Sequence, residues 1–314
     1  MGGLLVVGEA LVDVICRPDG DAVTHPGGSP ANVAVGLARL GQDVTFLTRL
    51  GDDPDGALIE TQLRTNGVHL RLHSDGAGTS RAVASLAADG SAGYSFDLIW
   101  TLNHEHARFV LADVSPPALH VGSVAALCEP GATVVRELVR AARPRSTISY
   151  DPNYRPALLT DTGAARRQVE DLVASSDVVK ASDADIEWLY PDQELTTVAT
   201  RWLGTGPALV VVTRGAAGAW AVNAAGSVGA RGVDVLVADT VGAGDSFMSA
   251  LLDGLARRDL LGAAARGRLA ALDAGEVAAL LHEAVVASAI TCSRPGANPP
   301  GRGELDSALA ALPR

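Results

Sequence analysis

The chain has 314 residues with 25 basic and 36 acidic side chains, giving a formal net charge of −11. That balance excludes a nucleic-acid or anionic-membrane binder driven by bulk electrostatics, and 47% hydrophobic with only 19% charged residues excludes intrinsic disorder. The length allows one large α/β domain or two smaller ones, and the partners are expected to be small and locally recognised.

Residues 1–9 carry no basic run, and their apolar stretch is too short for export or for spanning a membrane, so a cytoplasmic protein is expected. Cys16, Cys128 and Cys292 are too widely scattered to pair as metal ligands or a redox motif, and free thiols in a reducing compartment follow. Lys180 is the only lysine, every other basic side chain being arginine.

Taken in chain order, residues 4–8 are a short apolar run closed by glycine, which predicts a buried strand of a mostly parallel sheet. A helix is predicted to start at Ser29-Pro30, with Ser29 as N-cap, to carry Val33, Leu37 and Leu40 on one face, and to stop at Gly41. A second strand is predicted over 44–50. Residues 66–109 change to alternating, glycine-punctuated segments with an Asp89-Gly90 turn signal, predicting a half-exposed β excursion. Strands over 118–121, 147–150, 178–179 and 209–213 then alternate with helices over 132–142, 164–175, 183–190 and 195–203. Such alternation implies right-handed βαβ units and one parallel sheet covered on both faces, with ligands beyond the carboxyl ends of its strands. Residues 299–314 are expected to be loosely held.

The chemistry concentrates in Asp239-Thr240-Val241-Gly242-Ala243-Gly244-Asp245-Ser246-Phe247, where small residues lead into a helix predicted over 246–257. Backbone N–H groups exposed there, with the positive end of the helix dipole, suit a phosphate. Asp245 stands where an acceptor hydroxyl would arrive and is a candidate general base. The alternative is a tight turn with an acid complementing the dipole. A dinucleotide fingerprint is disfavoured, because its third glycine is missing and the motif lies far from the first βα unit. A Walker A loop is excluded, because Gly-Lys-Ser/Thr is absent.

A second glycine pair precedes a helix in Gly27-Gly28-Ser29-Pro30-Ala31-Asn32. The glycines allow close approach of a ligand to the backbone, and Asn32, like Asp13 after the first strand, suits hydroxyl groups; each of these residues also has an ordinary structural role open to it.

Together, residues 27–41 and 239–247 resemble the two signature regions of the ribokinase-like (PfkB) carbohydrate kinases, in the family's order and separation, and the similarity extends over essentially the full chain. The Ser29-Pro30 pair after the glycines is similar to fructokinases. The resemblance implies a three-layer α/β/α core with a mostly parallel sheet and a small β-sheet lid, one domain over 1–314 with lid segments near 14–24 and 66–109. It implies transfer of the γ-phosphoryl of ATP to a sugar hydroxymethyl group, with fructose or a similar ketose expected. Kinases for 2-keto-3-deoxygluconate, ribose, a nucleoside or a phosphosugar, the last using Arg81 and Arg155, and a non-catalytic sugar- or nucleotide-binding regulator are the alternatives.

By the same resemblance, Asp245 is the base, and Gly242, Ala243 and Gly244 stabilise the transferring charge. Asp13, Gly27, Gly28, Asn32, Arg155 of Asp151-Pro152-Asn153-Tyr154-Arg155, and Trp100 from the lid bind the sugar. Ser182, Thr213, Gly215, Gly218 and Asn298 bind ATP. Where many members carry Asn-x-x-Glu to organise Mg²⁺, this chain has Ser182-Asp183-Ala184-Asp185; Asp185 is the candidate for Mg²⁺ and Asp239 for a monovalent cation such as K⁺. Asp183 and Asp185 acidifying a helix N-terminus is the alternative there. A homodimer through the lid is expected, with no nucleic-acid or membrane partner.

Overall fold

The structure is a computed structural model that describes residues 3–16, 22–86, 92–159 and 161–312. From the N-terminus it runs through β1 (Leu4–Val7), β2 (Leu11–Cys16), β3 (Ala22–Gly27), α1 (Ser29–Arg39), β4 (Val44–Arg49), α2 (Pro54–Thr65), β5 (His69–His73), β6 (Arg81–Leu86) and β7 (Ala92–Asp97). There follow α3 (His104–Val114), β8 (Ala118–Gly122), α4 (Gly131–Ala142), β9 (Thr147–Asp151), α5 (Thr162–Ala174), β10 (Val178–Ser182), α6 (Asp183–Leu189) and α7 (Leu195–Leu203). The last third holds β11 (Leu209–Thr213), β12 (Ala219–Asn223), β13 (Gly226–Ala230), α8 (Ala243–Arg257), α9 (Arg266–Ala270), α10 (Ala274–Cys292) and α11 (Arg302–Ala311).

Nine strands form one sheet in the order β13-β12-β11-β10-β9-β8-β1-β4-β5, with parallel neighbours except at one edge, where β12 pairs antiparallel with both β11 and β13. Side chains alternate across a strand, so Leu4 and Val6 pack with Val33, Leu37, Leu251 and Leu280 on one face. Leu5 and Val7 pack with Val110, Leu138 and Val169 on the other. Both faces being buried, the strands read as continuous apolar runs.

From β1 the chain builds outward to β4 and β5 on one side and to β8 through β11 on the other. The crevice at such a reversal, beyond the carboxyl ends of the strands, is where open α/β sheets bind ligands.

A second sheet, β3-β2-β6-β7, stands over that end. In it β2 pairs antiparallel with β3 and parallel with β6. Arg81 of β6 donates to Asp55 of α2 at 2.6 Å, tying this sheet to the body.

Several expectations are corrected. Ser29 is the first residue inside α1 rather than its cap; Gly28, at φ 102°, holds the cap position and makes no side-chain cap. The segment 66–109 is not all excursion: β5 extends the large sheet beside β4, α3 packs under that sheet through Ala107 and Val110, and only β6 and β7 join the small one. The Asp89-Gly90 turn, like residues 17–21 of the segment 14–24, lies outside the described residues. α8 begins three residues before the predicted 246. Residues 302–311 form a helix anchored by buried Leu305 and by the Arg302–Asp253 ion pair, so this part of the tail is docked.

α2 and α10 were not anticipated. α10 is long and apolar enough to cross a membrane by length and composition, yet Val277, Leu280, Leu281 and Ala284 are buried in the core that α8 shares.

Candidate active site

Two cavities meet at the first turn of α8. The larger, about 780 Å³, lies between the two sheets and takes in Asp13, Gly27, Gly28, Asn32, Arg155 and Asp245. The smaller, about 310 Å³, lies between β11, the 232–237 loop and α10, and takes in Thr213, Gly215, Gly218, Val237 and Cys292. Thr240 and Gly244 line both. A molecule in one cavity therefore faces a molecule in the other across the N-terminus of a helix.

Local sequence explains that turn. Gly242 caps α8 in the left-handed conformation at φ 73°, and a β-carbon there would sit 2.6 Å from Ala297 Cβ. Glycine meets both demands. The Ala243 N–H turns back to the Thr240 carbonyl at 3.3 Å, while the Gly242 and Gly244 amides make no hydrogen bond to the described residues. Those amides, with the helix dipole, form the anion-attracting end of the site.

Asp245, buried in the same turn, faces the larger cavity. Ser29 Oγ donates to its Oδ1 at 2.6 Å and Asn32 Nδ2 to its Oδ2 at 2.8 Å. Two donors from α1 thus fix a carboxylate on α8, and the two motifs singled out in sequence converge on one group. Ser29 was expected as a cap and as part of the fructokinase-like Ser29-Pro30 pair, not as a partner of Asp245, and its proximity to Asp245 arises from α1 packing against α8.

Asp13 projects from β2 into the cavity; burial pushes its carboxyl up, and the Asp245 charge adds to that. A β-carbon on Gly27 would lie 2.1 Å from Asp13 Oδ2, so that glycine makes room for the carboxylate. Arg155, exposed at the rim, donates to the Asn153 side chain at 2.7 Å and forms no ion pair with the described residues, so its charge is available to the cavity.

Glu9, which the sequence did not single out, lies just past β1, buried at 3% exposure on the wall of the larger cavity, and its Oε2 accepts from the Ala125 N–H at 3.0 Å. Burial pushes its carboxyl up to about 7 against hydrogen bonds from Ser123 and Ala125. Phe96 of β7 and His25 of β3 also line the cavity.

Trp100 is not part of the site. It is 3% exposed, its Nε1 donates to the Ala125 carbonyl at 2.9 Å, and it packs against Gly131; Phe96 is the aromatic that faces the cavity.

Ser182 and Asp185 line neither cavity. They form a capping box at the start of α6. Asp185 Oδ2 accepts from Ser182 N and Oγ at 2.8 and 2.7 Å, and Oδ1 accepts from the Tyr154 N–H at 2.7 Å. Asp185 thus spends its hydrogen bonds inside the protein, away from both cavities, and these contacts are those of the helix-terminus alternative. No group of three metal-ligating side chains occurs among the described residues.

Asp239 joins two loops, accepting from the Val241 N–H at 3.0 Å and the Gly296 N–H at 2.8 Å; these backbone donors hold its carboxyl below the usual range. Asn298 lines the larger cavity rather than the smaller and accepts from Arg39.

Comparison with known proteins identifies the family and the fold. The model of the pfkB family carbohydrate kinases matches residues 1–301. The chain is 32% identical over 265 residues to a fructokinase of Rhizobium leguminosarum bv. trifolii, covering 82% of this chain and 81% of that protein. It is 34% identical over 273 residues to fructokinase-2 of Solanum lycopersicum, covering 80% and 81%. Among solved structures, a fructokinase from Xylella fastidiosa with bound ATP superposes with a TM-score of 0.88 at 26% identity, covering 98% of each chain. The chain belongs to the pfkB family of carbohydrate kinases.

Proposed function

We propose that this kinase transfers the γ-phosphoryl group of ATP to a primary hydroxyl of fructose or a similar ketose. The observation that carries the proposal is the position of Asp245, held by Ser29 and Asn32 on the larger cavity within one residue of Gly244, which borders both cavities. The sugar occupies the larger cavity, its hydroxyls met by Asp13, Asn32, Arg155 and the Gly27 and Gly28 backbone. ATP occupies the smaller, its phosphates directed toward Gly242 and Gly244 past Thr213, Gly215 and Gly218.

Asp245 accepts the hydroxyl proton as the sugar oxygen bonds to the γ-phosphorus; the bond from that phosphorus to the β–γ bridging oxygen breaks, and ADP leaves with the electron pair. The amides of the α8 turn face the charge that spreads over the transferring group. Magnesium bound with ATP would supply further neutralisation, and Asp185, which lines neither cavity, would act on it only through water.

The small sheet serves as the lid of a single domain, with Phe96 toward the sugar, and a second copy pairs through that sheet. A potassium ion beside Asp239 and a cytoplasmic setting, which suits the free thiols of Cys16, Cys128 and Cys292, complete the proposal.

The test is ADP release over a panel of sugars with Mg-ATP, with the product identified by phosphorus NMR. Fructose is expected to give the largest kcat/KM. A clear preference for ribose, a nucleoside, 2-keto-3-deoxygluconate or a phosphosugar overturns the substrate assignment, and silence on every acceptor alongside sugar binding would favour a regulator.

A further inference from the structure

Lys180 has no part in the chemistry described so far, yet it is the one lysine in a chain whose other basic side chains are all arginine. Whatever favours arginine elsewhere has not replaced it here. Its side chain rises from β10 into the interior, 4% exposed, and Nζ lies 2.7 Å from Oδ2 of Asp151, itself 1% exposed. The other oxygen, Asp151 Oδ1, has no hydrogen-bond partner among the described residues. The ammonium continues upward to the first turn of α8, where a β-carbon built on Gly244 would come within 3.0 Å of Nζ. Gly244, with Thr240, borders both cavities, whereas Lys180 borders neither.

Burial works against a charged ammonium here, and the Asp151 carboxylate, with Asp185 and Asp245 behind it, outweighs that and raises the lysine. The neighbouring imidazole, His120, is driven down to about 3 by burial and by the Lys180 charge, so at neutral pH the lysine is the cation at this point. An ammonium is a compact point charge, whereas a guanidinium is a planar fork that needs a wider berth. A side chain at 244 would crowd Nζ, and the compact ammonium suits the space between Gly244 and Asp151.

We propose that Lys180 is a positioning residue for phosphoryl transfer, anchored on Asp151 and set against Gly244 so that it fixes the first turn of α8 and places a permanent positive charge behind the amides facing both ligands. It touches neither ligand, and its effect is exerted through the turn that carries Gly244 and Asp245. The inference rests on the kinase reading and assigns a further residue to the same site.

The test compares Lys180→Met, Asp151→Asn, the double variant and Lys180→Arg in steady-state kinetics and urea unfolding. Lys180→Met alone strands a buried carboxylate and is expected to lose stability; the double variant removes both charges and is expected to fold. Its kcat should fall about 10- to 100-fold, less than the roughly 10²- to 10³-fold for losing a direct donor to the transition state, while KM for sugar and for ATP changes less than about threefold. Asp151→Asn, which keeps the ammonium, should lose less kcat than the double variant. If the double variant regains stability and turns over like the wild type, or if Asp151→Asn alone reproduces its loss, the inference is overturned. Should the double variant not fold, Lys180→Arg decides: a lowered kcat at unchanged KM supports the proposal and wild-type kcat defeats it. Wild-type enzyme inactive on every sugar would instead defeat the kinase reading itself, so the two failures are distinguishable.

Discussion

Glu9 gives the sharpest quantitative prediction. Its carboxyl titrates at 4.5 ordinarily and at about 7 where β1 buries it, so the folded protein prefers it protonated. Between those values the folded state binds more protons than the unfolded chain, and stability must fall as pH rises. At about 1.36 kcal/mol per pH unit the full penalty is about 3 kcal/mol, negligible below the lower value and fully developed above the upper one. Glu9→Gln keeps an oxygen to accept from the Ala125 N–H and removes the titration. Urea unfolding of both proteins at pH 5, 6.5 and 8 isolates the effect, because every other group cancels in the difference. The variant should gain on the wild type by about 2 to 3 kcal/mol between pH 5 and pH 8, or about 5 °C in thermal midpoint for a chain of this size. Parallel stability curves across that range would refute a neutral, buried Glu9.

Asp245→Asn is expected to lower kcat about 10²- to 10⁴-fold while leaving sugar binding, read by calorimetry, nearly intact; equal loss of binding and turnover would argue against a base. Gly27→Ala would put a β-carbon 2.1 Å from Asp13 Oδ2, and should therefore push the carboxylate aside and raise KM for sugar at least about tenfold with KM for ATP unchanged, a split visible in initial-rate kinetics. Asp185→Asn should cost about 1 kcal/mol through the lost capping box, measured by urea unfolding, with little change in the Mg²⁺ concentration giving half-maximal rate; a large shift in that concentration would restore Asp185 as a metal residue.

Local sequence determined much of this protein. Buried strands appear as apolar runs because both faces of the sheet are covered, and 209–213 coincides with β11 residue for residue. Helices with one apolar stripe, α4 above all, are legible because one face meets the core and the other meets water. α10 escaped because nearly its whole circumference is apolar, leaving no stripe to detect, although Asp273 and Glu276 write a capping box at its start. α2 carries a start signal in Asp53-Pro54, with Asp53 accepting from the Gly56 N–H at 2.8 Å, but few of its residues are buried.

The site divides in the same way. Glycines before helix starts stand out within a few residues of chain, and Gly27, Gly28, Gly242 and Gly244, singled out that way with Asp245, all line the larger cavity. What those residues meet was not legible. Ser29 and Asn32 reach Asp245 across 216 and 213 positions of sequence; Lys180 on β10 reaches Gly244 in the first turn of α8; Trp100 turns inward while Phe96 faces the cavity. Short-range steric and capping rules act along the chain and leave their mark in residue order. Which groups share a cavity depends on how helices dock onto the sheet, a collective packing outcome that only the folded structure records.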